Sequence, residues 1–99
     1  IEAQPVKGHY IQGLKSLAEA IVPEIYNINE IDESILIDTE DAYETARQIV
    51  QQEGIFVGMS SGAAMLAALR VAEEIDTGVI VTILPDRGEK YLSTDLFKV

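Results

Sequence analysis

The chain has 99 residues, 47% of them apolar, and a net charge of −10 from 17 acidic against 7 basic residues. That is the size of one small domain, apolar enough for a core and too apolar for a disordered segment. A surface so acidic, without a basic cluster, argues against nucleic acid and anionic membranes as partners, and the lack of any cysteine excludes disulfides, thiolate metal sites and cysteine nucleophiles within the chain.

No apolar stretch reaches the roughly 18 residues needed to span a bilayer. No secretory signal opens the chain, and a cytoplasmic setting is expected from the lack of cysteine. The first residues, IEAQPV, lack an initiator methionine and a polar lead-in, and the chain is expected to be a piece of a longer polypeptide.

Residues 1–4 suit the tail of a strand stopped by Pro5. Residues 5–13 are rich in turn formers, and 14–22 have the pattern of a short helix ending before Pro23. Residues 24–33 are irregular and acidic, and the run from Glu24 to Glu44 holds eight carboxylates and no base, as expected of a solvated face. Ser34–Asp38, SILID, suits a short strand.

The clearest helix covers 39–53. Asp38 or Thr39 can cap it, and Glu40, Asp41 and Glu44 sit near its positive end. Ala42, Ala46, Ile49 and Val50 share one face, and Gly54 is placed to end the helix in a left-handed conformation. Residues 55–57 suit a short strand, and a second helix is expected from about Ser61 to Ile75, with Arg70, Glu73 and Glu74 marking its wet side. A turn at 76–78 leads to VIVTIL at 79–84, a β-branched run expected as a strand buried on both faces. A loop at 85–90 and a short helical turn at 91–97 close the chain.

Alternating helices and strands predict an α/β fold with a mostly parallel sheet. Ligands in such sheets bind beyond the carboxyl ends of the strands. Two loops occupy such ends, GMSSG after Val57 and PDRGEK after Leu84. They converge on one site if their strands are neighbours.

Gly58-Met59-Ser60-Ser61-Gly62 admits three readings. It matches G-x-S-x-G, the nucleophile elbow, but that motif needs a downstream histidine, and the one histidine, His9, lies upstream. A hydroxyl and amides at a helix N-terminus can hold a polar ligand, and a serine suits a neutral heterocyclic nitrogen. Ser60 or Ser61 can equally be a plain helix cap, with Gly62 allowing close packing. His9 has the ordinary reading of a hydrogen-bonded loop histidine, and Tyr91 that of a packing residue with a satisfied hydroxyl and not an acid catalyst.

GHYIQGL, then EGIFVGMSSGAA, then VIVTILPDRGEKYLSTDLF, in that order and at that spacing, resemble the C-terminal part of the cysteine synthase/cystathionine β-synthase family of fold-type II pyridoxal-phosphate enzymes. The resemblance runs over nearly all of the chain. It implies that residues 1–99 are the C-terminal segment of a larger, three-layer α/β/α cofactor-binding domain whose N-terminal, lysine-bearing part is absent. Lys7, Lys15, Lys90 and Lys98 do not sit in the family's Schiff-base motif, so no catalytic residue is expected here. The resemblance places Ser60 at the pyridine nitrogen of pyridoxal phosphate, and the position of their loop beyond a strand end puts Pro85 and Asp86 near that end of the ring. Asp86 is expected either to bond to surrounding backbone or to Ser60, or only to cap the RGEK turn. A neutral partner there makes the ring a milder electron sink, suited to β-elimination and addition.

Gly13 and Leu14 would belong to the loop at the active-site entrance, where the family's GIGAGF is replaced by GLKSLAEA. The implied activity is that of a cysteine synthase, joining O-acetylserine and sulfide. Cystathionine β-synthase or an O-phosphoserine-using synthase is the alternative, and a non-catalytic folding or interaction module the reading from another class. The resemblance further implies a homodimeric parent, with serine acetyltransferase as a possible partner. No metal site is expected.

Overall fold

A computed structural model of the chain describes residues 1–6, 24 and 26–92. Strand β1, Glu2–Pro5, and strand β2, Ser34–Ile37, form a parallel pair in the register Glu2↔Ser34 to Pro5↔Ile37. The Glu2 amide donates to the Glu33 carbonyl at 2.8 Å, and the Val6 amide to that of Ile37 at 3.1 Å. Pro5, which has no amide hydrogen, sits at the last paired position, where the strand expected from the sequence stops. A 3-10 turn at Ile28–Glu30 interrupts the acidic stretch.

Helix α1, Thr39–Glu53, follows β2 directly. Asp38 holds the N-cap position and its carbonyl accepts the Ala42 amide at 3.0 Å. Gly54 ends the helix at φ 70°, its amide donating to the Val50 carbonyl, as the sequence predicts. The expected face is buried at Ala42, Ala46 and Ile49. Thr45 is buried as well, its hydroxyl donating to the Asp41 carbonyl at 2.8 Å, so the hydroxyl stays satisfied inside the core.

Helix α2, Met59–Glu74, packs on α1 through small residues. A Cβ on Gly62 would collide with the Ala42 carbonyl oxygen and lie 3.0 Å from both Cβ and N of Ala46. The absence of that atom sets how closely the helices approach. Ile37, Ala42, Ala46, Ile49, Val57, Met59, Ala63, Ala67 and Tyr91 make up the buried core. Arg70 lies on the wet side of α2, as expected, with its side chain partly exposed. Its guanidinium donates to the Leu36 carbonyl at 2.9 Å and pairs with Asp41 at 3.7 Å, tying the end of β2 to the start of α1. Glu73 and Glu74 are exposed as expected.

The parallel α/β architecture is as read from the sequence, but two strands are not. Residues 55–57 contribute only an isolated antiparallel bridge, Val57 to Arg87. Residues 79–84 form no ladder with any described residue, and Val79, Val81 and Ile83 are 91%, 86% and 76% exposed. Ile80, Thr82 and Leu84 are more covered, so the run alternates with a period of two. β-Branched residues favour a strand, but a strand forms only where a neighbour accepts its hydrogen bonds. The expected helix at 14–22, most of the turn-rich 5–13, and residues 93–97 lie outside the described residues.

Candidate functional site

The two loops singled out in the sequence do converge. The Gly88 amide donates to the Phe56 carbonyl at 3.2 Å, beside the bridge from Val57 to Arg87, which brings residues 85–91 against the start of α2. Two glycines make the approach possible. A Cβ on Gly88 would strike the Phe56 ring, and one on Gly58 would strike the Tyr91 ring and lie 2.6 Å from Asp86 Oδ2.

The first turn of α2 is capped from outside its own sequence. Gly58 occupies the N-cap position, so neither Ser60 nor Ser61 is the cap, and the helix begins two residues before the expected Ser61. A helix start leaves amide hydrogens without partners, and glycine has no side chain to take them. Asp86 takes them instead. Its Oδ2 accepts the Ser60 amide at 3.0 Å and its Oδ1 accepts the Ser61 amide at 2.9 Å. Ser61 Oγ lies 2.5 Å from Asp86 Oδ1, 3.0 Å from its carbonyl oxygen and 3.3 Å from its amide. A hydroxyl has one proton to give. The short contact to the charged carboxylate takes it, leaving the Ser61 oxygen to accept the Asp86 amide.

Burial pushes the Asp86 carboxyl upward in pKa, but the hydrogen bonds from the Ser61 hydroxyl, the Tyr91 side chain and the amides of Ser61 and Ser60 outweigh it. The net direction is below the ordinary carboxylate value, so Asp86 is an anion at neutral pH. A carboxylate at the positive end of a helix is also favourable in itself. Tyr91, foreseen as a packing residue, is 3% exposed and both packs and bonds to Asp86.

This arrangement restricts what the site can hold. An anion is already seated on the Ser60 and Ser61 amides, so a phosphate or a second carboxylate is disfavoured there. An uncharged partner remains possible, and Ser60, buried at 6% exposure in the first turn, supplies a neutral hydroxyl. That donor set fits the pyridine end of a pyridoxal ring and not its phosphate end. Pro85, beside Asp86, is exposed. The entrance-loop candidates Gly13 and Leu14, and His9, lie outside the described residues. Among the described residues no group of three His, Cys, Asp or Glu side chains could hold a metal ion. A cleft of about 190 Å³ between α2, Ile1, Ala3 and residues 80–82 does not include Ser60 or Asp86.

Residues 2–86 match the family described as "Pyridoxal-phosphate dependent enzyme". The chain is 47% identical over 93 residues to a cysteine synthase of Aquifex aeolicus, covering 90% of this chain and 28% of that protein. Against cysteine synthase B of Escherichia coli the identity is 43% over 94 residues, covering 95% of this chain and 31% of that protein. The crystal structure of the cysteine synthase of Entamoeba histolytica superposes with a TM-score of 0.83 at 48% identity, over 92% of this chain and 27% of the other. The chain thus spans less than a third of the length of each of these three relatives.

Proposed function

We propose, from the premise that this chain belongs to the pyridoxal-phosphate-dependent enzyme family, that it forms the C-terminal segment of a cysteine synthase. The parent would replace the acetoxy group of O-acetylserine with sulfide, giving L-cysteine and acetate. One observation carries the reading beyond family membership: the GMSSG and PDRGEK loops meet, and Asp86 occupies the helix end so that Ser60 is the neutral group of the site.

Bound pyridoxal phosphate supplies an electron sink for the carbon skeleton of the substrate amino acid. The residues of this chain govern the pyridine end of it. Ser60 would hold the ring nitrogen through its hydroxyl, without a charge that would keep that nitrogen protonated. Pro85 and Asp86 would flank the same end. The phosphate and the Schiff-base lysine would be held by the remainder of the parent, so the 99 residues alone should make no cysteine. The parent would be a cytoplasmic homodimer, with Gly13 and Leu14 at its entrance loop and serine acetyltransferase as a partner. These points rest on the resemblance of the sequence. No helix among the described residues is long and apolar enough to cross a membrane.

The full-length protein, loaded with pyridoxal phosphate, should convert O-acetylserine and sulfide into equal amounts of cysteine and acetate. Faster turnover with homocysteine would replace this assignment by cystathionine synthesis, and preference for O-phosphoserine would change the donor. No product with any of these pairs would defeat it. Ser60→Ala should lower the rate of replacement about tenfold, the usual scale of one lost hydrogen bond to a reacting group. An unaltered rate would exclude Ser60 from the ring nitrogen.

A further inference from the structure

Asp86 has more polar partners than its own helix-capping role requires. A carboxylate offers about four lone-pair positions. Here they meet the Ser60 amide, the Ser61 amide, the Ser61 hydroxyl and the Tyr91 side chain. None is left for a ring nitrogen. Asp86 is half-buried, and it is these hydrogen bonds that hold its carboxylate at the helix start. Turning it toward a ligand would strand two amides at the helix start, and unpaired buried amides are costly.

We propose that Asp86 is the positioning residue for Ser60, with Tyr91 as its brace. Asp86 holds the first turn of α2 through the Ser60 and Ser61 amides, and so fixes where the Ser60 hydroxyl stands, without touching the cofactor itself. This deepens the reading given above and rests on it.

Two measurements test the proposal. In the 99-residue chain, the backbone amide resonances of Ser60 and Ser61 should titrate together with the Asp86 carboxyl. The groups acting on that carboxyl are Ser61, Tyr91 and the two amides, with no charged side chain of the described residues among them. Asp86→Asn should abolish the titration. Tyr91→Phe, which keeps the ring and removes the hydroxyl, should move it to higher pH. A Tyr91 that serves only to fill space would leave the titration where it is, and that result overturns the brace.

The second measurement uses the full-length protein loaded with pyridoxal phosphate. Asp86→Asn should lower kcat about tenfold with little change in KM. It should also shift the pH dependence of the cofactor's visible absorbance in the same direction as Ser60→Ala. The double variant should be no worse than Ser60→Ala alone, because residues that act through one another are not additive. Full additivity overturns the proposal and leaves the cysteine synthase reading standing. An absorbance profile unmoved by Ser60→Ala removes Ser60 from the ring nitrogen and the proposal with it. Where Asp86→Asn fails to fold, Tyr91→Phe combined with Ser60→Ala supplies the same cycle.

Discussion

Replacing Gly62 with alanine sets two opposing effects of known size against each other. Alanine is the better helix former, by about 1 kcal/mol in a helix interior. The added Cβ, however, would stand 3.0 Å from Cβ and N of Ala46 and closer still to the Ala42 carbonyl oxygen. Carbon atoms rest at about 3.5–4.0 Å, so α1 and α2 must part by roughly 0.5–1 Å, which forfeits a quarter to a half of the dispersion energy along the contact. Neither neighbour can yield alone. One is backbone, and the other is a methyl group on a buried helix face. Overpacking costs about 1–3 kcal/mol, and a clash with backbone falls in the upper part of that range, about 2–3 kcal/mol, so the net change should be a loss of about 1–2 kcal/mol. For a chain of this size that is a melting temperature lower by about 4–15 °C. Thermal unfolding followed by far-ultraviolet circular dichroism, with a urea series as a check, measures it. An alanine variant that melts at or above the parent would show that the close approach of the helices does not control stability.

Two further outcomes follow from the same physics. Gly54→Ala meets no neighbour within 4 Å, but its φ of 70° is unfavourable for a side chain, so it should cost about 1 kcal/mol by backbone strain alone. Gly54→Asn should cost less, and equal melting temperatures for the two would contradict this. The Asp86 carboxyl is lowered in the folded chain relative to its ordinary value of 3.8, so its contribution is fully present above that pH. It is lost as pH falls through the lower folded value. Urea midpoints of the parent should therefore drop below about pH 4, and Asp86→Asn should remove that part of the slope.

Helix α1 was legible because its signals are local. Ala42, Ala46 and Ile49 repeat at helical spacing, and Gly54 stops the helix from within the next residue. The strand at Ser34–Ile37 and the stop at Pro5 are local in the same sense. The start of α2 was not, because its cap lies 25 residues away in sequence. A serine pair at a helix start reads as a cap, and of the two expectations for Asp86, a bond to Ser60 or nearby backbone and a plain cap of its own turn, the folded chain shows the first, through the amides of Ser60 and Ser61. The run at 79–84 misled for a related reason. Its composition speaks for a buried strand, but burial depends on neighbouring strands that are not among the described residues. Tyr91 carried no signal beyond its size, since a hydroxyl aimed at a distant carboxylate leaves no local pattern. Arg70 sits on the wet side as read, but charge alone says nothing about the carbonyl its guanidinium reaches.

Because the helix and its cap are separate stretches of chain, they must be inherited together. In a chimera of two related proteins, a crossover between residues 75 and 85 joins α2 of one parent to the capping loop of the other. Such a hybrid keeps both motifs letter for letter and still depends on the intervening residues delivering the carboxylate to the same spot. A crossover at or before Gly54 leaves helix, loop and brace from one parent, and it is the safer place to recombine this part of the family.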